Sequence, residues 1–235
     1  MARRVLVSGA NRGLGLEFAR QMIAAGDDVW GSAREAEPAA LLALGPTGSV
    51  VMDMGDEASV VAGVQTLGEQ IDGLDLLINC AGLDGRAVGA SKDARGPFDF
   101  DAHTFTEVMR INATGPMMVT REAIPLLRNG QNATVVNISS QLGSMEVAAT
   151  KGRDTAYCVS KAALNMVTVK TAAAVASEGI TVISMHPGWA STDMGGAGAD
   201  ISPEASVSGM VSVIGRLTAA DNGRFLNWNG TTHPW

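Results

Sequence analysis

A glycine-rich turn close to the N-terminus constrains the fold of this chain more than any other feature. Before the turn, the run Val5-Leu6-Val7 is short, apolar and rich in β-branched residues, as in a strand that is buried on both faces. After the turn, apolar residues recur at helical spacing from Leu16 to Ala25. A strand, a glycine turn and a helix in this order predict the first unit of an α/β sheet.

The glycines of this turn follow the spacing G-x-x-x-G-x-G. Gly9 permits a tight turn, while Gly13 and Gly15 allow the backbone and the start of the helix to approach a bound anion. The unsatisfied N–H groups of a helix start attract the pyrophosphate of a dinucleotide. A plain turn without a ligand is the alternative interpretation. The predicted cofactor contacts in this turn are Gly9, Asn11, Arg12, Gly13, Leu14 and Gly15.

The end of the second predicted strand, residues 28–34, bears on the choice of dinucleotide. An acidic residue at this point would suit the 2′-hydroxyl of NAD(H). The chain has Ala33 and then Arg34 there, and Arg12 adds a second cation in the glycine turn. Arginine suits a 2′-phosphate, so the sequence predicts NADP(H), with NAD(H) the weaker choice. The alternative is that Arg34 is an ordinary solvated surface residue.

Strand and helix patterns alternate along the rest of the chain. Further strands are predicted at residues 49–52, 74–78, 134–138, 180–185 and 224–228. Helices are predicted at residues 56–71, 103–129 and 157–176, and after Ser202, with Asp56 and Ser202 as N-caps, Pro203 in the first helical position and a kink at Gly115-Pro116. Irregular loops are expected at residues 83–101 and 141–155, and a mobile flap at residues 190–200. This alternation predicts an α/β fold in one domain, residues 1–235: a doubly wound parallel sheet (Rossmann fold) of about seven strands.

The ends of the predicted strands carry candidate ligand contacts, because parallel sheets bind ligands beyond the carboxyl ends of their strands. Asp53 ends the third strand and is a candidate for holding an adenine ring. Small residues follow the fourth strand, in the run Asn79-Cys80-Ala81-Gly82. The predicted cofactor contacts at these two strand ends are Asp53, Met54, Asn79, Ala81 and Gly82.

Tyr157 is the only tyrosine of the chain, and it lies four residues before Lys161 in an alanine-rich run. In a helix, residues four apart lie on the same face, so the phenol and the ammonium can point into one pocket. A neighbouring positive charge favours the phenolate and lowers the pKa of a tyrosine from about 10. This pair would make tyrosine a proton donor and acceptor near neutral pH. The alternative is an exposed helix face with a lysine that reaches into solvent.

Composition excludes several classes of protein. The formal net charge is −7, which argues against a general nucleic-acid binder. No apolar run is long enough for a membrane-spanning helix, and the apolar part of the N-terminus is too short for a secretory signal. Two cysteines and three histidines have no metal-ligand spacing, so neither a metal site nor a disulfide is predicted. We expect a cytoplasmic protein that binds neither nucleic acid nor membrane.

The chain resembles the classical short-chain dehydrogenases/reductases over essentially its whole length. The motifs that carry the resemblance are Gly9-x-x-x-Gly13-x-Gly15, Asp53, Asn79-Cys80-Ala81-Gly82, Asn112, Ser140, Tyr157-x-x-x-Lys161, and Pro187-Gly188 followed by Thr192. Within the family, residues 186–195 and the terminal Pro-Trp are similar to the C-factor and sniffer-type carbonyl-reductase branch.

The resemblance implies four catalytic residues. Tyr157 would be the general acid that protonates the carbonyl oxygen during reduction, and the base in the reverse direction. Lys161 would lower the pKa of Tyr157 and bind the nicotinamide ribose. Ser140 would hold and polarise the carbonyl oxygen, although the adjacent Ser139 is an open alternative. Asn112 would complete a water-linked proton relay behind Lys161.

The resemblance also implies contacts around the nicotinamide and the substrate. The cofactor set is extended by Tyr157, Lys161, Pro187, Gly188, Trp189 and Thr192. Candidate substrate contacts, supported by position alone, are Leu142, Trp189 and Met194. The gap between Ser140 and Tyr157 is a few residues longer than is common in the family, which leaves the shape of the substrate pocket open.

These features predict an NADP(H)-dependent oxidoreductase that interconverts a small-molecule ketone or aldehyde and the alcohol by hydride transfer. The alternative is a dinucleotide-binding signalling or regulatory protein of the same fold with little turnover. The resemblance further implies a homodimer or homotetramer, formed through the helices that contain Asn112 and Lys161.

Overall fold

Seven parallel strands form one sheet in the computed structural model of the chain, which describes residues 2–91, 95–150 and 152–235. The strands are β1 (Arg4–Ser8), β2 (Asp28–Ala33), β3 (Gly48–Val51), β4 (Leu76–Asn79), β5 (Thr134–Ile138), β6 (Thr181–His186) and β7 (Phe225–Asn227). Their order across the sheet is β3-β2-β1-β4-β5-β6-β7. All seven predicted strands are present, and the predicted parallel sheet is confirmed.

Helices cover both faces of the sheet, which makes the sheet doubly wound. The helices are α1 (Gly13–Ala24), α2 (Ala39–Leu42), α3 (Glu57–Gly68), α4 (Ala102–Met109), α5 (Gly115–Arg128), α6 (Met145–Ala148), α7 (Thr155–Ala174) and α8 (Pro203–Ile214). Apolar residues of α1 and α8, including Phe18 and Met210, form a core on one face of the sheet. Residues of α3, α5 and α7, including Leu67 and Leu127, form a second core on the other face. Burial of both faces explains why the strand sequences are almost continuously apolar.

The order of the strands creates a crevice at one edge of the sheet. From β1 the chain proceeds outward to β2 and β3, and it then returns to place β4 on the other side of β1. Ser8 at the end of β1 is in register with Asn79 at the end of β4. The segments that follow these two residues therefore diverge from one point, the position at which such sheets bind ligands.

Two predicted helix starts are confirmed by their capping geometry. The side chain of Asp56 accepts a hydrogen bond from the N–H of Ala58 at 3.0 Å. The hydroxyl of Ser202 accepts one from the N–H of Ala205, and Pro203 occupies the first helical position. These caps satisfy N–H groups that a helix start leaves without partners, and their signals are local in sequence.

The predicted helix over residues 103–129 is divided in the structure. A π-helical turn (Arg110–Thr114) joins α4 to α5, so the interruption precedes the predicted kink at Gly115-Pro116. Pro116 has no N–H to donate to the carbonyl of Asn112, so the regular hydrogen-bond pattern cannot pass this point. The N–H of Gly115 bonds instead to Arg110. Asn112 thus lies in a widened turn, a feature that is common at functional sites.

Several other boundaries differ from the predictions. The helix α7 begins at Thr155, two residues before Tyr157, and Gly179 ends the helical region with a φ of +72°. The predicted loop over residues 141–155 is not irregular throughout: it contains a 3₁₀ turn (Gln141–Gly143) and the short helix α6, which Ser144 caps. The predicted loop over residues 83–101 contains a 3₁₀ turn (Gly85–Val88). Residues 92–94 and 151 of these loops lie outside the described residues.

The sequence patterns gave no signal for the short helix α2 or for the 3₁₀ turn Ala219–Asp221. Both are too brief for a helical period to emerge. Within the described ranges, no helix combines the length and the apolar character that crossing a membrane requires.

Candidate active site

The glycine turn between β1 and α1 is folded so tightly that it excludes side chains at two positions. Gly9 has a φ of +67°, and a Cβ at this residue would lie 2.8 Å from the Cα of Ala81. A Cβ at Gly15 would lie 2.1 Å from the carbonyl oxygen of Gly9. The helix begins at Gly13, which is earlier than the predicted Leu16, so its first N–H groups lie within the turn itself. Helix N–H groups in such a position bind anions.

Of the two predicted cations, Arg12 lies in this turn and Arg34 lies at the end of the neighbouring strand β2. Arg34 follows β2 directly and is exposed, and within the described part of the chain its side chain has no hydrogen bond or ion pair. Arg12 is also exposed and lies 3.6 Å from Asp193, a loose ion pair in solvent. Asn11 donates a hydrogen bond to Glu35 at 2.9 Å. The guanidinium of Arg34 is therefore open to an anionic ligand at the crevice.

Four predicted contacts after β3 and β4 differ in how accessible their side chains are. Asp53 is half-buried, and its carboxylate accepts a hydrogen bond from Gly55 N–H at 2.8 Å. The side chain of Met54 lies in the hydrophobic core, and that of Asn79 is 1% exposed. Ala81 is half-buried and packs against Gly9. The side chains of Met54 and Asn79 thus support the crevice from behind and do not line it.

A row of buried polar side chains supports the ends of the central strands; the sequence predictions included Asn79 as a cofactor contact but missed the other members. Asn79, Asn137 and Ser184 are in register on β4, β5 and β6. Asn79 donates to Asn137 at 2.8 Å, and Asn137 donates to Thr168 of α7 at 2.9 Å. The hydroxyls of Thr168 and Ser184 lie 2.8 Å apart. The row fixes α7 against the sheet, and its signal was a lone polar residue near the end of each apolar strand.

Four residues from three separate segments meet at the carboxyl edge of the sheet; we call Asn112, Ser140, Tyr157 and Lys161 the Tyr157 cluster. Tyr157 and Lys161 lie one turn apart on α7, and the Lys161 Nζ is 5.7 Å from the centre of the tyrosine ring. Ser140 lies beside Tyr157, and its hydroxyl is close enough to lower the pKa of the phenol. The Nζ of Lys161 donates to the carbonyl of Ile138, the last residue of β5, at 2.8 Å.

The electrostatics of Tyr157 differ from the sequence prediction. Burial raises the pKa of Tyr157 to about 12, and the neighbouring Ser140 hydroxyl opposes this shift without cancelling it. Burial also lowers the pKa of Lys161 to about 8. Burial disfavours the charged form of each group, and for Tyr157 this cost outweighs the expected effect of a neighbouring cation. At neutral pH the phenol therefore retains its proton, the state that a proton donor requires.

The structure distinguishes the two adjacent serines. Ser139 is 2% exposed, and its hydroxyl donates to Asn165 Oδ1 of α7 at 2.7 Å. Ser140 is half-buried, faces Tyr157 and also caps the 3₁₀ turn by accepting from Leu142 N–H. Only the Ser140 hydroxyl combines contact with Tyr157 and access to solvent.

Asn112 is completely buried, and its amide links two segments. Its Nδ2 donates hydrogen bonds to the carbonyl of Leu83 at 2.7 Å and to the hydroxyl of Ser160 at 3.0 Å. Its Oδ1 accepts a hydrogen bond from the N–H of Leu83 at 2.8 Å. A Cβ at Gly82 would lie 3.3 Å from Asn112 Oδ1 and 3.5 Å from Lys161 Nζ. A side chain at residue 82 would therefore crowd both the asparagine and the lysine.

Residues after β6 form the opposite side of the crevice. A Cβ at Gly13 would lie 3.9 Å from the methyl group of Thr192, so the flap approaches the glycine turn there. The backbone carbonyl of Met194 accepts a hydrogen bond from Arg86 at 2.6 Å. Trp189 is 48% exposed, and its indole N–H donates to Gly195. The flap thus joins the segments that follow β1, β4 and β6.

The segment that carries Pro187 and Gly188 is fixed to α8 and β7. The carbonyl of Pro187 accepts a hydrogen bond from Ser206 at 2.5 Å, and a Cβ at Gly188 would lie 3.1 Å from the ring of Trp228. Leu142, the third candidate substrate contact, is half-buried two residues after Ser140. In the described residues, no group of three or more His, Cys, Asp or Glu side chains is arranged to hold a metal ion.

Comparison with known proteins agrees with this geometry. The family model described as short chain dehydrogenase matches residues 3–200. The chain is 41% identical to C-signal of Myxococcus xanthus over 164 residues, which cover 69% of this chain and 93% of that protein.

Two solved structures are similar over the whole fold. NADPH-bound carbonyl reductase from chicken fatty liver superposes with a TM-score of 0.89 at 32% identity, covering 100% of this chain and 99% of that chain. The carbonyl reductase Sniffer of D. melanogaster superposes with a TM-score of 0.87 at 28% identity and covers 100% of both chains. The predicted resemblance to the C-factor and sniffer-type branch is confirmed by these matches.

Proposed function

The chain belongs to the short-chain dehydrogenase family, and on that basis we propose that it is an NADP(H)-dependent oxidoreductase that interconverts a ketone or aldehyde and the alcohol by hydride transfer. One observation carries the proposal. The Ser140 hydroxyl and the Tyr157 phenol are neighbours at the edge of the sheet where the glycine turn also lies. A carbonyl oxygen at this point would meet two hydroxyl donors at once.

The residues of the crevice fit a phosphorylated dinucleotide. Helix α1 begins at Gly13 and has no side-chain cap from Arg12, so its first N–H groups can bind a pyrophosphate. Arg34 is exposed and unpaired within the described residues, in the position that suits a 2′-phosphate. The NADPH that is bound to the chicken carbonyl reductase supports the same choice. When bound, the nicotinamide supplies the hydride.

The protein's own contribution is to hold the carbonyl and deliver a proton. Ser140 donates a hydrogen bond to the carbonyl oxygen and polarises it. Tyr157 then transfers its phenolic proton to that oxygen as charge develops on it. The raised pKa of Tyr157 keeps this proton in place until the oxygen becomes basic. In the reverse direction the phenolate accepts the proton of the alcohol.

Lys161 and Asn112 return a proton to Tyr157 after each reduction. The ammonium of Lys161, with a pKa of about 8, is charged at neutral pH and favours the phenolate that forms during reduction. We assign the nicotinamide ribose to the same ammonium. We assign to Asn112 the role of connecting Lys161 to solvent through a water-linked relay; a Cβ at Gly82 would lie within 3.5 Å of both side chains, so the two approach each other there.

A second candidate function is a signalling or regulatory protein with little turnover. The 41% identity to C-signal favours it. A sensor has no chemical need for a proton donor, however, whereas neighbouring hydroxyls such as those of Ser140 and Tyr157 are what an enzyme of this kind requires.

We also propose that the protein is a homodimer or homotetramer that packs through α5 and α7. Residues at helical spacing on α7 leave apolar surface in solvent: Val159 is 40% exposed, Met166 57% and Val169 37%. On α5, Met117 is 47% exposed. A second copy of this face would cover these side chains.

The test is NADPH and NADH oxidation against a panel of ketones and aldehydes, for the wild type and for Tyr157→Phe. We expect Tyr157→Phe to lower kcat by about 10³-fold, because the proton donor is lost, while NADPH binding is unchanged. The control is Phe98→Tyr, which adds a tyrosine at a side chain that is 99% exposed. A wild type that binds NADPH and reduces nothing on the panel would favour the signalling candidate, and full activity in Tyr157→Phe would refute the mechanism.

A further inference from the structure

A buried histidine outside the Tyr157 cluster contacts the turn that carries Ser140. His186, the last residue of β6, is 9% exposed. Its Nδ1 accepts a hydrogen bond from the backbone N–H of Gln141, the residue that follows Ser140, at 3.2 Å. No part of the proposed mechanism uses this ring.

The backbone that carries His186 is itself firmly held. His186 is in register with Asn227 of β7, and its carbonyl accepts a hydrogen bond from Trp228 N–H at 2.8 Å. The next residue, Pro187, is bonded to Ser206 of α8. The imidazole of His186 therefore projects from a fixed strand end toward the turn that carries Ser140, called the serine turn below.

The opposite side of the same turn is attached to α7. Asn165 accepts from the Ser139 hydroxyl and donates to the carbonyl of Gly143, so it holds both ends of the turn. A Cβ at Gly143 would lie 2.7 Å from the backbone of Lys161, which shows how closely the turn packs on the helix. Between these two ends, the turn is held by the hydrogen bond from Gln141 N–H to His186, directly after Ser140.

The ring of His186 is in the form that can accept this bond. Burial and the neighbouring His233 lower the pKa of His186 to about 4, so the imidazole is neutral at physiological pH and its Nδ1 lone pair is available. His233 meets the ring edge-on, with centroids 5.3 Å apart, and is itself stacked on Phe225. This packing fixes the orientation of the His186 ring.

We propose that His186 is a positioning residue for the reduction: through the N–H of Gln141 it fixes the turn that carries Ser140, and thereby the place at which the serine hydroxyl meets the carbonyl oxygen and Tyr157. The inference rests on the proposed function. His186 also precedes Pro187 directly, so one residue ties the serine turn to the segment assigned to the nicotinamide.

The experiment compares His186→Leu, which removes the acceptor, with His186→Asn, whose Oδ1 can replace Nδ1. We expect His186→Leu to lower kcat about tenfold with the KM for NADPH unchanged, because the bond that orients the turn is lost. We expect His186→Asn to recover most of this loss. The exposed His103, changed to Leu, is the control for the removal of a histidine.

A double-mutant cycle separates positioning from a general structural effect. In a Ser140→Ala background, His186→Leu should change kcat by less than about twofold, because His186 acts through Ser140. A full tenfold penalty in that background, wild-type kcat in His186→Leu, or equal losses in the Leu and Asn variants would overturn the inference.

A readout that does not depend on turnover keeps the inference distinct from the proposed function. Amide hydrogen exchange at Gln141 should be slow in the wild type and in His186→Asn, and fast in His186→Leu. Unchanged exchange would refute the positioning contact even in an active enzyme. Full activity in both Ser140→Ala and Tyr157→Phe would instead refute the proposed function.

Discussion

The glycine turn and the Tyr157 cluster lie at the same edge of the sheet but are built in different ways. The turn comes from one continuous segment, and its geometry depends on the absence of side chains at Gly9 and Gly15. The Tyr157 cluster is assembled from α7, from the end of β5 and from a π-helical turn. A local structure is specified by local residue choices, whereas a cluster drawn from distant segments depends on every contact that holds those segments together.

The glycine turn and the Tyr157 cluster also differ in how deeply their polar side chains are buried. The cations beside the turn, Arg12 and Arg34, are exposed. In the cluster, Asn112 is completely buried and Lys161 is 5% exposed. Exposed charges are screened by water and act mainly on ligand binding, whereas buried groups have shifted pKa values and act on the chemistry. Substitutions near the turn should therefore change cofactor affinity, and substitutions in the cluster should change kcat.

The largest effect on kcat in this comparison is expected when each of the two adjacent serines is replaced by alanine. Ser140→Ala should lower kcat about 10²-fold with little change in stability, because a donor to the carbonyl oxygen is lost. Ser139→Ala should change kcat less than about threefold, because Asn165 still holds the turn through the carbonyl of Gly143, but should cost about 1–3 kcal/mol of unfolding free energy, because Asn165 Oδ1 loses its buried partner. Steady-state kinetics and thermal unfolding of both variants measure this, and the reverse pattern would assign the carbonyl contact to Ser139.

A smaller effect, on binding alone, is expected at the glycine turn. Arg34→Ala should weaken NADPH binding about 20-fold and leave NADH binding nearly unchanged, because the cation that meets the 2′-phosphate is removed. Titration calorimetry with both cofactors measures the difference. Arg128→Ala is the control: it also removes one positive charge, from an ion pair with Glu178 on the surface of α5. Equal losses for NADPH and NADH would contradict the cofactor preference.

The smallest expected effect is in the pH dependence of the cluster. Lys161 loses its charge as the pH rises through about 8, whereas Tyr157, with a pKa of about 12, keeps its proton. The rate of carbonyl reduction should therefore fall by up to about tenfold between about pH 7 and about pH 9, if the charged lysine is required. Lys161→Arg retains the charge and should abolish this decline. An identical decline in Lys161→Arg would assign it to another group.

Features that depend on neighbouring residues were predictable from the sequence. The glycine turn, the seven strands and the caps at Asp56 and Ser202 all follow from patterns within about a dozen residues. The pairing of Tyr157 with Lys161 is of the same kind, because four residues make one helical turn. The division of the long helix at Asn112 was only partly predictable: Pro116 was visible, but the widened turn before it was not.

Features that depend on contacts between distant segments were decided by the tertiary structure alone. The polar row through Asn79, Asn137 and Thr168 requires the register of β4 and β5 and the docking of α7. The contact from Gln141 to His186 joins residues 45 positions apart. No period or spacing within one segment contains such information.

The alternation of strands and helices, and the glycines that leave room at the crevice, are properties of the sequence itself, because backbone sterics and hydrophobic period act over short distances. The proton affinity of Tyr157 belongs to the folded state. A nearby lysine predicted a lowered pKa, yet the pKa is raised, because burial acts on the phenolate more strongly. Burial exists only after the chain has folded, and it is burial that fixes the protonation states on which the proposed chemistry depends.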